Sequence, residues 1–150
     1  MSKVLIAYAT RSGNTGKIAE LIAEGIRLTG LQAKVVNTNE IKNEKDLAEY
    51  DGLILGSATY NGEMMNKMKQ ILFLCEKVDL KDRVGGSFGA FGWSGEALER
   101  IYETMKNVFN MDMVKEPLRL KSPSLKEGKK MAQDYGNDIG QKLLSREQRD

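Results

Sequence analysis

The chain has 150 residues, 41% of them hydrophobic, with 23 basic against 21 acidic residues for a formal net charge of +2. That size and apolar share fit one domain over residues 1–150, and a nearly balanced charge spread along helical patterns provides no basic footprint for nucleic acid. One cysteine and no histidine exclude an internal disulfide, leave out the usual ligands of zinc and redox metals, and remove Ser-His and Cys-His nucleophiles, so neither a metal site nor a catalytic residue is expected.

Val4-Leu5-Ile6-Ala7-Tyr8-Ala9 has the length and composition of a fully buried parallel strand, and Ile18, Ile22 and Ile26 after it share one helical face. Between the two lies Thr10-Arg11-Ser12-Gly13-Asn14-Thr15. A helix amino end carries unpaired N–H groups and the positive pole of the helix dipole, so an anion placed there is stabilised without a lysine. Four hydroxyl or amide side chains add donors, and Gly13 lets the backbone come close to a ligand. The loop lacks the Gly-Lys-Ser/Thr ending of a triphosphate site and the three glycines of a dinucleotide site, which leaves a monophosphate ester. A plain polar turn capping a helix is the competing reading.

Gly30 reads as a helix stop, Leu31 to Val36 as a second strand, and residues 40 to 49 as a short polar helix. Gly52 to Ser57 is a third strand, and it runs into the loop-forming Ala58-Thr59-Tyr60-Asn61-Gly62. Met64, Met68, Ile71, Leu72 and Cys75 mark the following helix, with Cys75 a buried thiol and the methionines chiefly core filling. Residues 83 to 91 form a Gly-rich fourth strand whose glycines let helices pack closely on both faces. Phe91-Gly92-Trp93-Ser94-Gly95 follows, then a helix defined by Leu98, Ile101, Met105 and Val108. A fifth strand falls within Asp112 to Leu120, interrupted at Pro117, and Ser124-Leu125-Lys126-Glu127 is a capping box opening a terminal helix to about Leu144.

Five alternations of strand and helix with short connections predict a parallel sheet covered on both faces, whose ligand sits at strand carboxyl ends where the strand order reverses. The loops at 10 to 15, 58 to 63 and 91 to 96 meet that condition, and two of them bring a large aromatic, Tyr60 and Trp93. A phosphate loop beside two aromatic loops makes a slot for a planar heterocycle with a phosphorylated tail. No apolar run approaches the roughly 20 residues that span a bilayer. Met1-Ser2-Lys3 leads into a strand instead of a signal peptide, which predicts a cytoplasmic chain.

On these residues the chain resembles the flavodoxin family. Thr10-x-Ser12-Gly13-Asn14-Thr15 matches the family's phosphate motif, Ser57-Ala58-Thr59-Tyr60 one flavin loop and Phe88-Gly89-Ala90-Phe91-Gly92-Trp93 the other. The stretch ending in Trp93-Ser94-Gly95-Glu96-Ala97 is most similar to the flavodoxin module of diiron flavoproteins and to clostridial short-chain flavodoxins.

The resemblance implies a flavodoxin-like α/β three-layer sandwich, a five-stranded parallel sheet in the order 2-1-3-4-5, and FMN as cofactor. It assigns the FMN phosphate to Thr10, Arg11, Ser12, Gly13, Asn14 and Thr15, and the flavin ring to Ala58, Thr59, Tyr60, Asn61, Gly62, Phe91, Gly92, Trp93, Ser94 and Gly95. The peptide between Asn61 and Gly62 is free to rotate, since both residues tolerate positive φ, and to accept a hydrogen bond from flavin N5.

The implied role is electron transfer between redox partner proteins by a monomer, without nucleic acid or membrane. An FMN-dependent NAD(P)H:quinone-type reductase and a flavin-free binding module of the same topology are the alternatives. The near-neutral charge departs from the acidic habit of the family and predicts a less negative potential and a different docking partner.

Overall fold

The computed structural model describes residues 2–9, 14–57, 59–60, 63–90, 96–120 and 126–149; at 14, 59–60, 63–64, 90, 96–97 and 148–149 the description is of the main chain. The elements are β1 (Lys3–Ala9), α1 (Asn14–Leu28), β2 (Gln32–Asn37), α2 (Lys45–Ala48), β3 (Gly52–Ser57), β4 (Thr59–Tyr60), β5 (Glu63–Met64), α3 (Asn66–Cys75), β6 (Val84–Ala90), α4 (Glu96–Glu103), β7 (Asp112–Met113), β8 (Leu118–Leu120) and α5 (Lys126–Arg149). A 3-10 turn over Thr38–Glu40 precedes α2, and a π turn over Thr104–Val108 extends α4.

The large sheet runs β2-β1-β3-β6-β7, with β8 also on β6, and every pairing in it is parallel. Because β3 occupies the other edge of β6, β7 and β8 are two pieces of one edge strand broken around Pro117. The expected order 2-1-3-4-5 is therefore the observed one. Apolar side chains alternate between two cores: Leu5, Ala7 and Ala9 meet Met68, Ile71, Ile101 and Met105, whereas Val4 and Ile6 meet Ile18, Ile22, Ile26, Tyr135 and Ile139. Two apolar faces need two covering layers, hence the three-layer sandwich.

The Gly-rich β6 serves that packing. A Cβ on Gly85 would lie 2.8 Å from the Met113 sulfur, and one on Gly86 would lie 2.5 Å from the Tyr135 hydroxyl on the opposite face. Where the edge strand is interrupted, Tyr135 takes its place. Its hydroxyl accepts from the Ser87 N–H at 3.1 Å and donates to the Ser87 carbonyl at 3.3 Å, and burial pushes this phenol well above the ordinary tyrosine range. Tyr135→Phe removes both partners of a buried peptide unit, so it is expected to cost about 1–3 kcal/mol, measured by denaturant unfolding. An unchanged midpoint would show that Ser87 finds another partner.

Five expectations need correction. Met64 is not on the helix with Met68: it ends β5, and α3 starts at Asn66. The stretch Ala58 to Gly62, expected as a loop, contributes β4 to a small hairpin, with Thr59 opposite Met64 and Tyr60 opposite Glu63. Residues 40 to 49 hold only the four-residue α2. Val108, expected in the core, is 60% exposed, because a π turn takes more residues per revolution than an α turn and passes the next core position to Phe109. The terminal helix continues past Leu144 to Arg149.

Cys75 is buried as expected, and burial pushes its thiol up to about 12 from an ordinary value near 9. The fold excludes the thiolate, so native protein at pH 8 should react with an aromatic disulfide reagent only as fast as it unfolds. Since the unfolded thiol ionises first, this group's contribution is intact below pH 9 and lost progressively up to about pH 12. Rapid native labelling would contradict the burial.

Candidate cofactor site

Parallel register sets the carboxyl ends of three strands side by side, with Ala9 of β1 opposite Ser57 of β3 and Gly56 of β3 opposite Phe88 of β6. In sequence these ends are followed by residues 10–13 after Ala9, residue 58 after Ser57 and residues 91–95 after Ala90, all outside the described residues. Two helices, α1 from Asn14 and α4 from Glu96, start at the same edge. The first turn of α1 carries no acidic residue, so no carboxylate competes with an anion for its amino end.

Thr15, the second residue of α1, is fully buried, and its hydroxyl is the one buried side-chain polar atom among the described residues without a hydrogen-bond partner. Buried hydroxyls without partners are rare because each costs about 1–3 kcal/mol. Next to it, Gly16 admits the Tyr8 ring, whose Cε2 would lie 3.0 Å from a Cβ at that position. Tyr8 therefore braces the first turn of α1 from the sheet.

At the second loop, the hairpin β4–β5 leads directly into α3. Its attachment to the sheet is Ser57, itself 1% exposed, whose Oγ accepts the Met65 N–H at 3.0 Å. At the third, a Cβ on Gly89 would lie 2.9 Å from Leu98 Cδ2 and 3.1 Å from the Ser57 carbonyl oxygen, so glycine lets α4 and β3 close on β6 near its exit. Ser87 Oγ donates to the Leu98 carbonyl at 3.2 Å and fixes α4 there.

Of the expected site residues, Thr10, Arg11, Ser12, Gly13, Ala58, Asn61, Gly62, Phe91, Gly92, Trp93, Ser94 and Gly95 lie outside the described residues. Asn14 and Thr15 open α1, and Thr59 and Tyr60 form β4. A groove of about 670 Å³ opens along the edge-strand break between Lys115 and Asp138, away from the ends of β1 and β3. Tyr8 and Gly16 were not singled out by the sequence, and Ser57 stood in the flavin-loop motif without a role of its own. An Asn-Gly pair between strand-like residues was the available signal for the hairpin.

The sheet order, the two helical layers and the carboxyl ends of β1, β3 and β6 side by side at one edge define a doubly wound α/β domain of flavodoxin type. The flavodoxin family model matches residues 6–126, and the chain belongs to that family. It is 31% identical over 146 residues to diflavin flavoprotein A 5 of Nostoc sp., covering 93% of this chain and 25% of the relative. It is 27% identical over 151 residues to rubredoxin-oxygen oxidoreductase of Megalodesulfovibrio gigas, with 96% of this chain and 37% of that one covered. This chain thus spans from a quarter to somewhat over a third of those two relatives.

Among solved structures, a flavodoxin from the domain Archaea superposes with a TM-score of 0.87 at 28% identity, covering 95% of this chain and 99% of the other. The Flv1 flavodiiron core of Synechocystis sp. gives 0.87 at 27% identity, covering 96% of this chain and 36% of that one. FMN is the cofactor that membership of the family brings. The unpartnered Thr15 hydroxyl at a helix amino end fits such a group, because a phosphate oxygen is the acceptor it lacks.

Among the described residues, no helix is long and apolar enough to cross a membrane, and no three His, Cys, Asp or Glu side chains group as metal ligands.

Proposed function

We propose that this chain binds FMN at the carboxyl edge of β1, β3 and β6 and carries electrons between redox partner proteins. The observation that carries the reading is the buried Thr15 hydroxyl, orphaned at the amino end of α1 where an anion is stabilised. In this reading Thr10, Ser12, Asn14 and Thr15 donate side-chain hydrogen bonds to the phosphate, Gly13 admits it to the main-chain N–H groups, and Arg11 adds charge. Tyr60 and Trp93 cover the ring faces and exclude water, while the main chain of Ala58, Thr59, Phe91, Gly92, Ser94 and Gly95 meets the ring's polar edge. The Asn61-Gly62 peptide would accept a hydrogen bond from a proton carried on flavin N5. When bound, FMN supplies one- and two-electron redox chemistry, which belongs to the cofactor.

Adding FMN to the purified protein should quench flavin fluorescence to saturation at one equivalent, and riboflavin should bind more weakly because it lacks the phosphate. No saturation with FMN would overturn the proposal. Similarity to a rubredoxin-oxygen oxidoreductase keeps a catalytic reading in view. Mixing the FMN-loaded protein anaerobically with NAD(P)H separates the two: slow or absent bleaching supports the carrier, and rapid bleaching assigns a reductase.

A further inference from the structure

Ser57 is the anchor of the hairpin that carries Tyr60 and the Asn61-Gly62 peptide, and we infer that its hydroxyl positions this hairpin against the flavin. The inference rests on the FMN reading above and goes beyond it, since Ser57 opens the flavin-loop motif but was assigned no part in holding the ring.

The hairpin is too small to hold its own place. It consists of two residue pairs, Thr59 with Met64 and Tyr60 with Glu63. An isolated two-stranded hairpin is marginal in water even when longer. Its location must come from α4, which lies against both of its strands, and from its ends. The entering end is continuous with β3 through residue 58, and β3 is fully buried between β1 and β6. The leaving end is Met65, whose N–H is held by Ser57 Oγ at 3.0 Å. One hydroxyl therefore ties the exit of the hairpin back to its entrance, eight residues apart in sequence.

The same contact sets the start of α3. Met65 is the N-cap of that helix and makes no side-chain cap bond; its carbonyl accepts the N–H groups of Met68 at 2.9 Å and Lys69 at 3.2 Å. Fixing the Met65 N–H fixes the peptide from which α3 departs.

Ser57 is itself immobilised. It is 1% exposed, sits opposite Ala9 in the parallel register, and its carbonyl oxygen lies 3.1 Å from where a Cβ on Gly89 would stand. These contacts place it where the chain leaves β1, β3 and β6 for the three loops. A hydroxyl there transmits sheet geometry to the hairpin more rigidly than an exposed loop contact would. Ser57 is a positioning residue, acting on the flavin only through the main chain it holds.

The test compares Ser57→Ala with Tyr135→Phe, each of which deletes a hydroxyl that accepts a main-chain N–H, part-buried at Met65 and buried at Ser87. Both are expected to lower the unfolding midpoint. Only Ser57→Ala is expected to weaken FMN binding, by about tenfold, to shift the midpoint potential of the FMN-loaded protein, and to raise hydrogen exchange at the Met65 amide in the flavin-free protein. Ser57→Thr, which restores an acceptor, should recover the potential. If wild-type protein binds FMN and Ser57→Ala matches it in affinity, potential and Met65 exchange, the inference is wrong. The same holds if Tyr135→Phe shifts the potential equally. If wild-type protein does not bind FMN, the functional reading fails, and Met65 exchange alone then decides whether Ser57 anchors the hairpin.

Discussion

Thr15→Val is expected to move stability and cofactor affinity in opposite directions. Valine keeps the shape of threonine and deletes a buried hydroxyl that has no partner within the protein. The unliganded protein should gain about 1–3 kcal/mol, because the desolvation cost of an unsatisfied group disappears. FMN binding should weaken by roughly 10- to 100-fold, since a hydrogen bond to a charged group contributes about 1.5–3 kcal/mol and each 1.4 kcal/mol is a factor of ten. Riboflavin, without the phosphate, should bind both proteins alike.

Thermal unfolding of the flavin-free protein and fluorescence titration with FMN and riboflavin measure the three quantities. General damage to the fold would lower all of them together, so the opposed signs isolate the role of the hydroxyl. An FMN affinity equal to wild type would show that the Thr15 oxygen does not face the phosphate.

The second large effect lies in the contact between α1 and α5. A Cβ on Gly25 would stand 2.0 Å from the Gln133 carbonyl oxygen, and one on Gly136 would stand 2.0 Å from the Ile22 carbonyl oxygen, where ordinary contact is 3.4–4 Å. Both obstacles are helix backbone and cannot rotate aside. Either alanine must therefore push the helices apart and open the core formed by Ile18, Ile22, Ile26, Tyr135 and Ile139.

Overpacking of this kind costs about 1–3 kcal/mol or more, against a helix-propensity gain of about 1 kcal/mol for Gly→Ala. With main chain as the obstacle the upper part of that range applies. A net loss near 2 kcal/mol would lower the melting temperature by roughly 4–8 °C in a domain of this size. The double variant should cost less than the sum of the singles, since separating the helices once relieves both clashes.

Gly140→Ala is the graded control. Its obstacle is the Thr29 side chain, 2.3 Å away at Oγ1, which can turn at the expense of its 2.6 Å bond to the Ile26 carbonyl. Its loss should be smaller. Excess FMN should return part of the stability of each variant by mass action, about 2.7 kcal/mol at a hundred times the dissociation constant. Wild-type melting behaviour for Gly25→Ala and Gly136→Ala would mean that the helices do not approach this closely.

Much of this architecture was legible because local and global signals agree. The run from Val4 to Ala9 is apolar throughout because both faces of β1 are covered, and Ile18, Ile22 and Ile26 repeat every four residues because one face of α1 is covered. Even the break at Pro117 could be read, since proline lacks the N–H that a strand ladder requires. Val108 misled because a constant helical period was assumed across a π turn. Gly25, Gly136 and Gly140 carried no readable message in sequence: in isolation each merely weakens a helix.

From the order of its amino acids alone, this chain declared an alternating α/β sandwich and a hydroxyl-rich loop with donors suited to an anion, because periodicity and turn chemistry are local properties. Folding in three dimensions settled which backbones touch without a Cβ between them, that Tyr135 fills the gap in the edge strand, and that Ser57 holds Met65. Those facts join residues far apart along the chain or across elements, and no local pattern specifies the distance between two carbonyls on different helices.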